Sequence, residues 1–183
     1  MKEMVGAFSI YANKGVYNAP MMVTKIEDKY GNVLANFYPE SREVITENTA
    51  FLMANLLQGV VDEGTGRRLR FRYGFKNQIG GKTGTTQNHS DGWFIGITPD
   101  LAGGVWVGAE DRSIHFQNLA NGQGASMALP IWALFMQKVY ADKSLAVPQS
   151  DFQKPNGVNH VLDCGDADRE GMTDYDSSDE IFD

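Results

Sequence analysis

The chain has 183 residues, 42% of them apolar, enough to bury the core of one domain. Its formal charge of −7 is unevenly placed: nine of the 23 acidic residues lie between Asp163 and Asp183, against one of the 16 basic residues, and the remainder is near neutral with no basic stripe for a nucleic acid. The single cysteine, Cys164, excludes an internal disulfide and a thiolate metal cage, and no stretch approaches the roughly 18 apolar residues of a membrane span.

The N-terminal run "MKEMVGAFSIYANKG" has too short an apolar segment for a secretory signal, and Glu3 interrupts its charged start. It reads instead as a helix over 2–12, closed by Asn13, Lys14 and Gly15. "MMVTKIEDKYGNVLANFY" gives two β-prone runs joined around "DKYGN", a hairpin. Ala50, Met53, Ala54, Leu57, Val60 and Val61 recur at helical spacing and predict an amphipathic helix from about Glu47 to Glu63, stopped by Gly64 to Gly66. "RRLRFRYGFKN" reads as a solvated basic connection, with a local site for acidic groups as the alternative. Three strands follow, around 78–86, 92–98 and 103–109, the last two joined at Pro99-Asp100. "ASMALPIWALFMQKVY" is apolar on nearly every face and predicts a helix buried against the sheet, with Pro130 in its first turn or kinking it. Trp106 and Trp132 read as core. Beyond Asp142 the composition turns polar, and the acidic tail holds too little apolar surface to fold. A calcium-loop lookalike begins at Asp166, but Ser177 stands where a bidentate Glu is needed, so no metal is assigned.

"IGGKTGTT" (79–86) is the one stretch with chemistry in it. A phosphate-cradling loop needs a glycine five residues before its Gly-Lys-Thr and a helix after it. Position 76 is a lysine, and "TTQNHSDGWFIGI" reads as strand. Both spacing and context reject a phosphate site.

"GGKTGTT" on a strand, then "SDGWFIGITPDLAGGVWVG" and "LPIWALFMQKVY", resembles the penicillin-binding proteins, and in particular the C-terminal half of the transpeptidase domain of their bifunctional, class A members. "MVGAFSIYANKGVYNAP" and "ANLLQGVVDEGTGRRLR" match the segments upstream of the lysine motif, so the resemblance covers residues 1 to about 158, with 159–183 left as tail. It implies an α/β fold of the β-lactamase/transpeptidase type, an antiparallel sheet with packed helices. It also implies acyl transfer from peptidoglycan stem peptides or β-lactams without a cofactor, and a membrane-anchored location in the cell envelope. On this resemblance Lys82 and the Thr83 and Thr85 hydroxyls receive the substrate carboxylate, Gly84 lets the ligand backbone approach, and the Thr85 backbone N–H serves the oxyanion hole.

The pattern also departs from the family. None of the nine serines has Lys three residues on or Asn two residues on, so the nucleophile motif is absent from these residues. "YAN" at Tyr11 to Asn13 mimics a second-motif variant but lies in the segment read as a helix end. The expectation is a fragment lacking the N-terminal half of its domain and inactive by itself. A noncatalytic remnant or interaction module and a β-lactamase-like hydrolase are the alternatives. His89, Asp91, Trp93 and Phe94 are assigned no role.

Overall fold

The computed structural model describes residues 1–158. The acidic tail, Cys164, the lookalike loop from Asp166 and the boundary placed at residue 158 therefore lie outside or at the limit of the described residues. Helix α1 (Lys2–Ala12) ends at Asn13, where Lys14 and Gly15 both take positive φ. Gly15 is fixed by its surroundings, because a Cβ there would overlap the Ile45 carbonyl oxygen, while its own carbonyl accepts from Val44 and Ile45 N–H. That clamp pairs two short strands absent from the sequence reading, β1 (Val16–Asn18) and β4 (Ser41–Glu43). Between them the expected hairpin forms from β2 (Lys25–Glu27) and β3 (Val33–Asn36). Its turn is organised by Asp28, whose carboxylate accepts from the N–H groups of Tyr30 and Asn32 and from the Asn32 amide.

Helix α2 (Glu47–Asp62) starts where expected, with the Thr46 hydroxyl accepting from Thr49 N–H as an N-cap. Beyond it the basic connection departs from its reading. Residues Arg68–Phe71 form a short helix, α3, with Leu69 fully buried. Arg70 pairs with Asp62 at 2.6 Å and donates to the Phe75 and Asn77 carbonyls, while Arg68 Nη1 donates to Ala125 O and Ser126 Oγ. The guanidinium groups of Arg68 and Arg70 donate to backbone carbonyls, so two of the five basic residues of this connection are structural, while Arg67, Arg72 and Lys76 stay exposed.

The central sheet is β5 (Gly80–Thr85), β6 (Asp91–Ile97) and β7 (Ala102–Gly108), antiparallel in that order. Strand alternation puts Gly80, Lys82 and Gly84 on one face with Ile95 and Trp93, and Gly81, Thr83 and Thr85 on the other with Gly96 and Phe94. On the first face Ala54, Leu57 and Ile97 form a small core with Phe8 and Tyr11 packed against it. On the second lies the main core, where Phe94, Val61, Leu69, Ile79 and Phe75 meet α6 (Leu129–Ala141). Pro130 sits in the first turn of α6, where its missing N–H costs nothing.

Two apolar expectations change. Helix α6 buries Leu129, Trp132, Ala133, Met136 and Val139 but leaves Ile131, Leu134 and Phe135 about half exposed, so one face packs and the other faces outward. Trp106 is not core: it stays 42% exposed beside Trp93, with its Nε1 donating to Asp91.

Trp132 explains two glycines. A Cβ added at Gly96 would collide with its indole, and one at Gly103 would lie 3.1 Å from Nε1, which donates to the Gly103 carbonyl. Gly96→Ala is therefore expected to destabilise the chain by about 1–3 kcal/mol through overpacking. Gly59 in α2 meets nothing, and Gly59→Ala should stabilise by up to about 1 kcal/mol. Urea unfolding of both variants checks the opposite signs.

Candidate functional site

Strand β5 changes character along its length. Gly80 and Gly81 are buried, and a Cβ at Gly80 would press on Leu57, Ile97 and the Ala54 carbonyl, so α2 covers this end. Lys82 and Thr85 are exposed, with Thr83 and Gly84 half-buried between them. Among the described residues the strand has β6 as its one sheet neighbour, and its other edge carries backbone groups available for pairing.

The four residues singled out in the sequence therefore sit together, though on two faces. Lys82 donates from Nζ to the Thr83 carbonyl at 2.8 Å, and no carboxylate within 4.0 Å neutralises it among the described residues. The Thr83 and Thr65 hydroxyls lie 2.8 Å apart. Thr85 Oγ1 accepts from Gly124 N–H at 3.0 Å. Gly84 carries Trp93 across from it, and a Cβ there would sit 3.1 Å from the Trp93 Cβ. Thus the glycine makes room for the cross-strand tryptophan as well as baring the backbone.

Nothing in the sequence pattern marks Thr65 or Gly124. Thr65 lies inside "GTG", where its flanking glycines read as a helix stop, and its approach to Thr83 depends on the packing of α2 against β5. Gly124 opens the short helix α5 (Gly124–Met127), which follows α4 (Leu119–Gly122), 39 residues from its partner.

Beyond Thr85 the strand turns through Thr86 to Ser90, with Asn88 and His89 both at φ 57°. Asp91 organises this turn. Its Oδ2 accepts from Thr86 Oγ1 at 2.8 Å and from Ser90, its Oδ1 accepts from Trp106 Nε1 at 3.0 Å, and Arg112 stands 3.6 Å away. The Thr86 hydroxyl above all, with Trp106, Ser90 and the Arg112 charge, holds the Asp91 carboxyl below its ordinary 3.8, against the opposing effect of desolvation. His89 Nδ1 is buried without a partner among the described residues. Cavities of about 240 and 290 Å³ lie elsewhere, one between α1, α2 and the Pro99 turn, the other beside Val107, Ile114 and Met127. Neither touches Lys82 to Thr85. No group of three or more His, Cys, Asp or Glu side chains fit to hold a metal occurs among the described residues.

The family described as penicillin binding protein transpeptidase domain matches residues 1–125. The chain belongs to the penicillin-binding protein transpeptidase family. It is 33% identical over 153 residues to penicillin-binding protein 1A of Aquifex aeolicus, covering 84% of this chain and 20% of that protein. Against penicillin-binding protein 2D of Bacillus subtilis it is 32% identical over 166 residues, covering 87% and 22%. The chain thus spans about a fifth of the length of the curated relatives it matches. Penicillin-binding protein 1A from Haemophilus influenzae shares the fold with a TM-score of 0.73 at 24% identity, over 84% of this chain and 28% of that one. Penicillin-binding protein A from M. tuberculosis, solved as an imipenem acyl-enzyme complex, gives 0.54 at 21% identity over 73% and 29%. The antiparallel sheet with packed helices is therefore the transpeptidase fold. No helix among the described residues is long and apolar enough to cross a membrane.

Asp91 also makes a pH prediction. A carboxyl with a lowered folded pKa contributes stability that is fully present above its unfolded value, near 3.8, and is lost as pH falls below it. Asp91→Asn should therefore lower Tm at pH 7, and the gap from the parent should narrow as pH drops from 5 to about 2.5. Asp28, Asp111 and Asp142, also held low by local hydrogen bonds, keep part of the acid limb in both proteins. A gap that widens toward acid would contradict the assigned sign.

Proposed function

We propose that this chain supplies the carboxylate-binding strand of a D,D-transpeptidase that cross-links peptidoglycan stem peptides and is acylated by β-lactams. The observation that carries this reading is the exposed half of β5, where a lysine and two threonine hydroxyls stand beside a strand edge, the lysine without a carboxylate partner and the edge without a paired strand among the described residues. An extended peptide ending in D-alanyl-D-alanine has the matching groups: backbone amides to pair with the edge and a terminal carboxylate for the ammonium and hydroxyl donors. The Thr85 N–H is assigned to the carbonyl oxygen that gains charge as the serine attacks. One such donor contributes about 3 kcal/mol in the transition state.

The acylating serine belongs to a Ser-x-x-Lys segment, which these residues do not contain. In the proposed reaction its hydroxyl adds to the penultimate carbonyl, the peptide bond breaks, and the departing D-alanine amine takes the proton. An acceptor amine then displaces the serine. Cross-linking requires a membrane-anchored protein of the cell envelope whose transpeptidase domain lies on the extracytoplasmic side of the membrane. A noncatalytic interaction module is the second reading, favoured by the absence of that serine from this sequence.

Two measurements test the proposal. In a domain that joins these residues to a Ser-x-x-Lys half, Lys82→Ala should slow labelling by fluorescent penicillin by about 100-fold or more, because it removes a fixed charge from the carboxylate site. Thr85→Val keeps the backbone N–H and should slow it less, by the loss of one hydrogen bond to a charged group, roughly 1.5–3 kcal/mol. A Lys82→Ala rate within twofold of the parent would sink the assignment.

Residues 1–183 alone should take up no covalent penicillin label, since no serine in the sequence is followed by a lysine three residues on. Stoichiometric labelling of any serine in this chain, located by mass spectrometry, would show that the nucleophile lies in an unrecognised motif.

A further inference from the structure

Resting on the reading of β5 as a carboxylate-binding strand, we propose that Gly124 is a positioning residue for Thr85. Its backbone N–H sets the polarity of the Thr85 hydroxyl, and its bare Cα is what allows that N–H to reach.

The contact is specific. Gly124 N–H donates to Thr85 Oγ1 at 3.0 Å across 39 residues of sequence. A hydroxyl has one proton and two lone pairs, and its proton turns to suit its surroundings. With one lone pair engaged from the α5 side, the Thr85 proton points away from α5. Among the described residues it finds no acceptor, and Thr85 is exposed. The hydroxyl is thus held as a donor toward the open side of the strand. Thr83 is not fixed in this way, because in its contact with Thr65 either hydroxyl can donate.

Gly124 reaches Thr85 only because several side chains are missing around it. A Cβ on Gly124 would overlap the carbonyl oxygens of both Gly84 and Trp93. Across the contact, a Cβ on Gly92 would come within 3.2 Å of the Gly124 Cα and 2.5 Å of Met127 Cε. The backbone of α5 therefore lies directly on the β5–β6 ladder at the end where Thr85 sits. Arg68 holds α5 there from behind through the Ala125 carbonyl and the Ser126 hydroxyl. Any side chain at 124 must lift α5 off the strand, which lengthens the hydrogen bond to Thr85 and frees its hydroxyl to rotate.

A double-mutant cycle separates positioning from general support. In the domain joined to a Ser-x-x-Lys half, the readout is the second-order rate of fluorescent penicillin labelling. Gly124→Ala should lower that rate about tenfold when Thr85 is present and less than about twofold in the Thr85→Val background, since the hydroxyl it acts through is then gone. Equal losses in both backgrounds would overturn the positioning role and leave the carboxylate strand standing. If Thr85→Val alone does not slow labelling, the carboxylate reading of Thr85 is what fails. A second measurement needs no change at position 124. In the 183-residue chain, the Gly124 amide should exchange with solvent at least about tenfold faster in Thr85→Val than in the parent, and Thr85→Ser, which keeps the acceptor, should restore protection. Exchange unchanged by Thr85→Val would overturn the proposal even if Gly124→Ala fails to fold.

Discussion

Among the described residues strand β5 is paired with a strand on one side only, and most of this structure follows from that fact. An edge strand buried along its full length would have no backbone to offer a ligand, and one exposed along its full length would invite pairing with another chain. Here the burden is divided. Helix α2 lies against the Gly80 end and contributes Ala54, Leu57 and Val61 to the two cores, while the Lys82 to Thr85 end stays open. The strand is anchored by its first residues and displays its last ones.

That division needs helices to come unusually close to the sheet, and glycine makes the approach possible at three levels. At the buried end Gly80 admits α2. One rung further along, Gly96 and Gly103 receive Trp132. At the open end Gly124 brings backbone onto backbone. Arg68 and Arg70 then tie the short helices to this framework by filling carbonyls with guanidinium protons. The rigidity of the displayed half comes from these contacts behind the strand, and a preorganised donor set is the form in which such groups contribute most to recognition and acyl transfer.

How much of this could be read from the sequence depended on how far apart the partners lie. Helices α1, α2 and α6, the β2–β3 hairpin and the three central strands all carry their periodicity or turn chemistry locally, so their order was legible. Lys82, Thr83, Gly84 and Thr85 were legible because they are contiguous and their flanking segments occur in the family's order. The β1–β4 pair was not, since three-residue strands show no alternation and their pairing rests on Gly15, 29 residues before Val44. Trp106 looked like core because aromatic residues usually are. Its exposure follows from Asp91, which holds the indole N–H at the surface. Arg68 and Arg70 of "RRLRFR" depart from the solvated reading for the complementary reason: charge suggests solvent, but a guanidinium beside backbone carbonyls is a structural donor, whereas Arg67 and Arg72 are exposed.

The fit of Trp132 against Gly96 and Gly103 also constrains how this sequence can drift over time. A methyl group at 96 presses on the indole opposite, and a smaller ring at 132 would leave a void beside Phe94 and Phe75 unless the glycines grew to fill it. The three positions are thus bound into one inherited unit. Substitution at any of them should be found among relatives together with a compensating change at another, because the void left by a smaller ring costs at least as much as the overpacking caused by a methyl group.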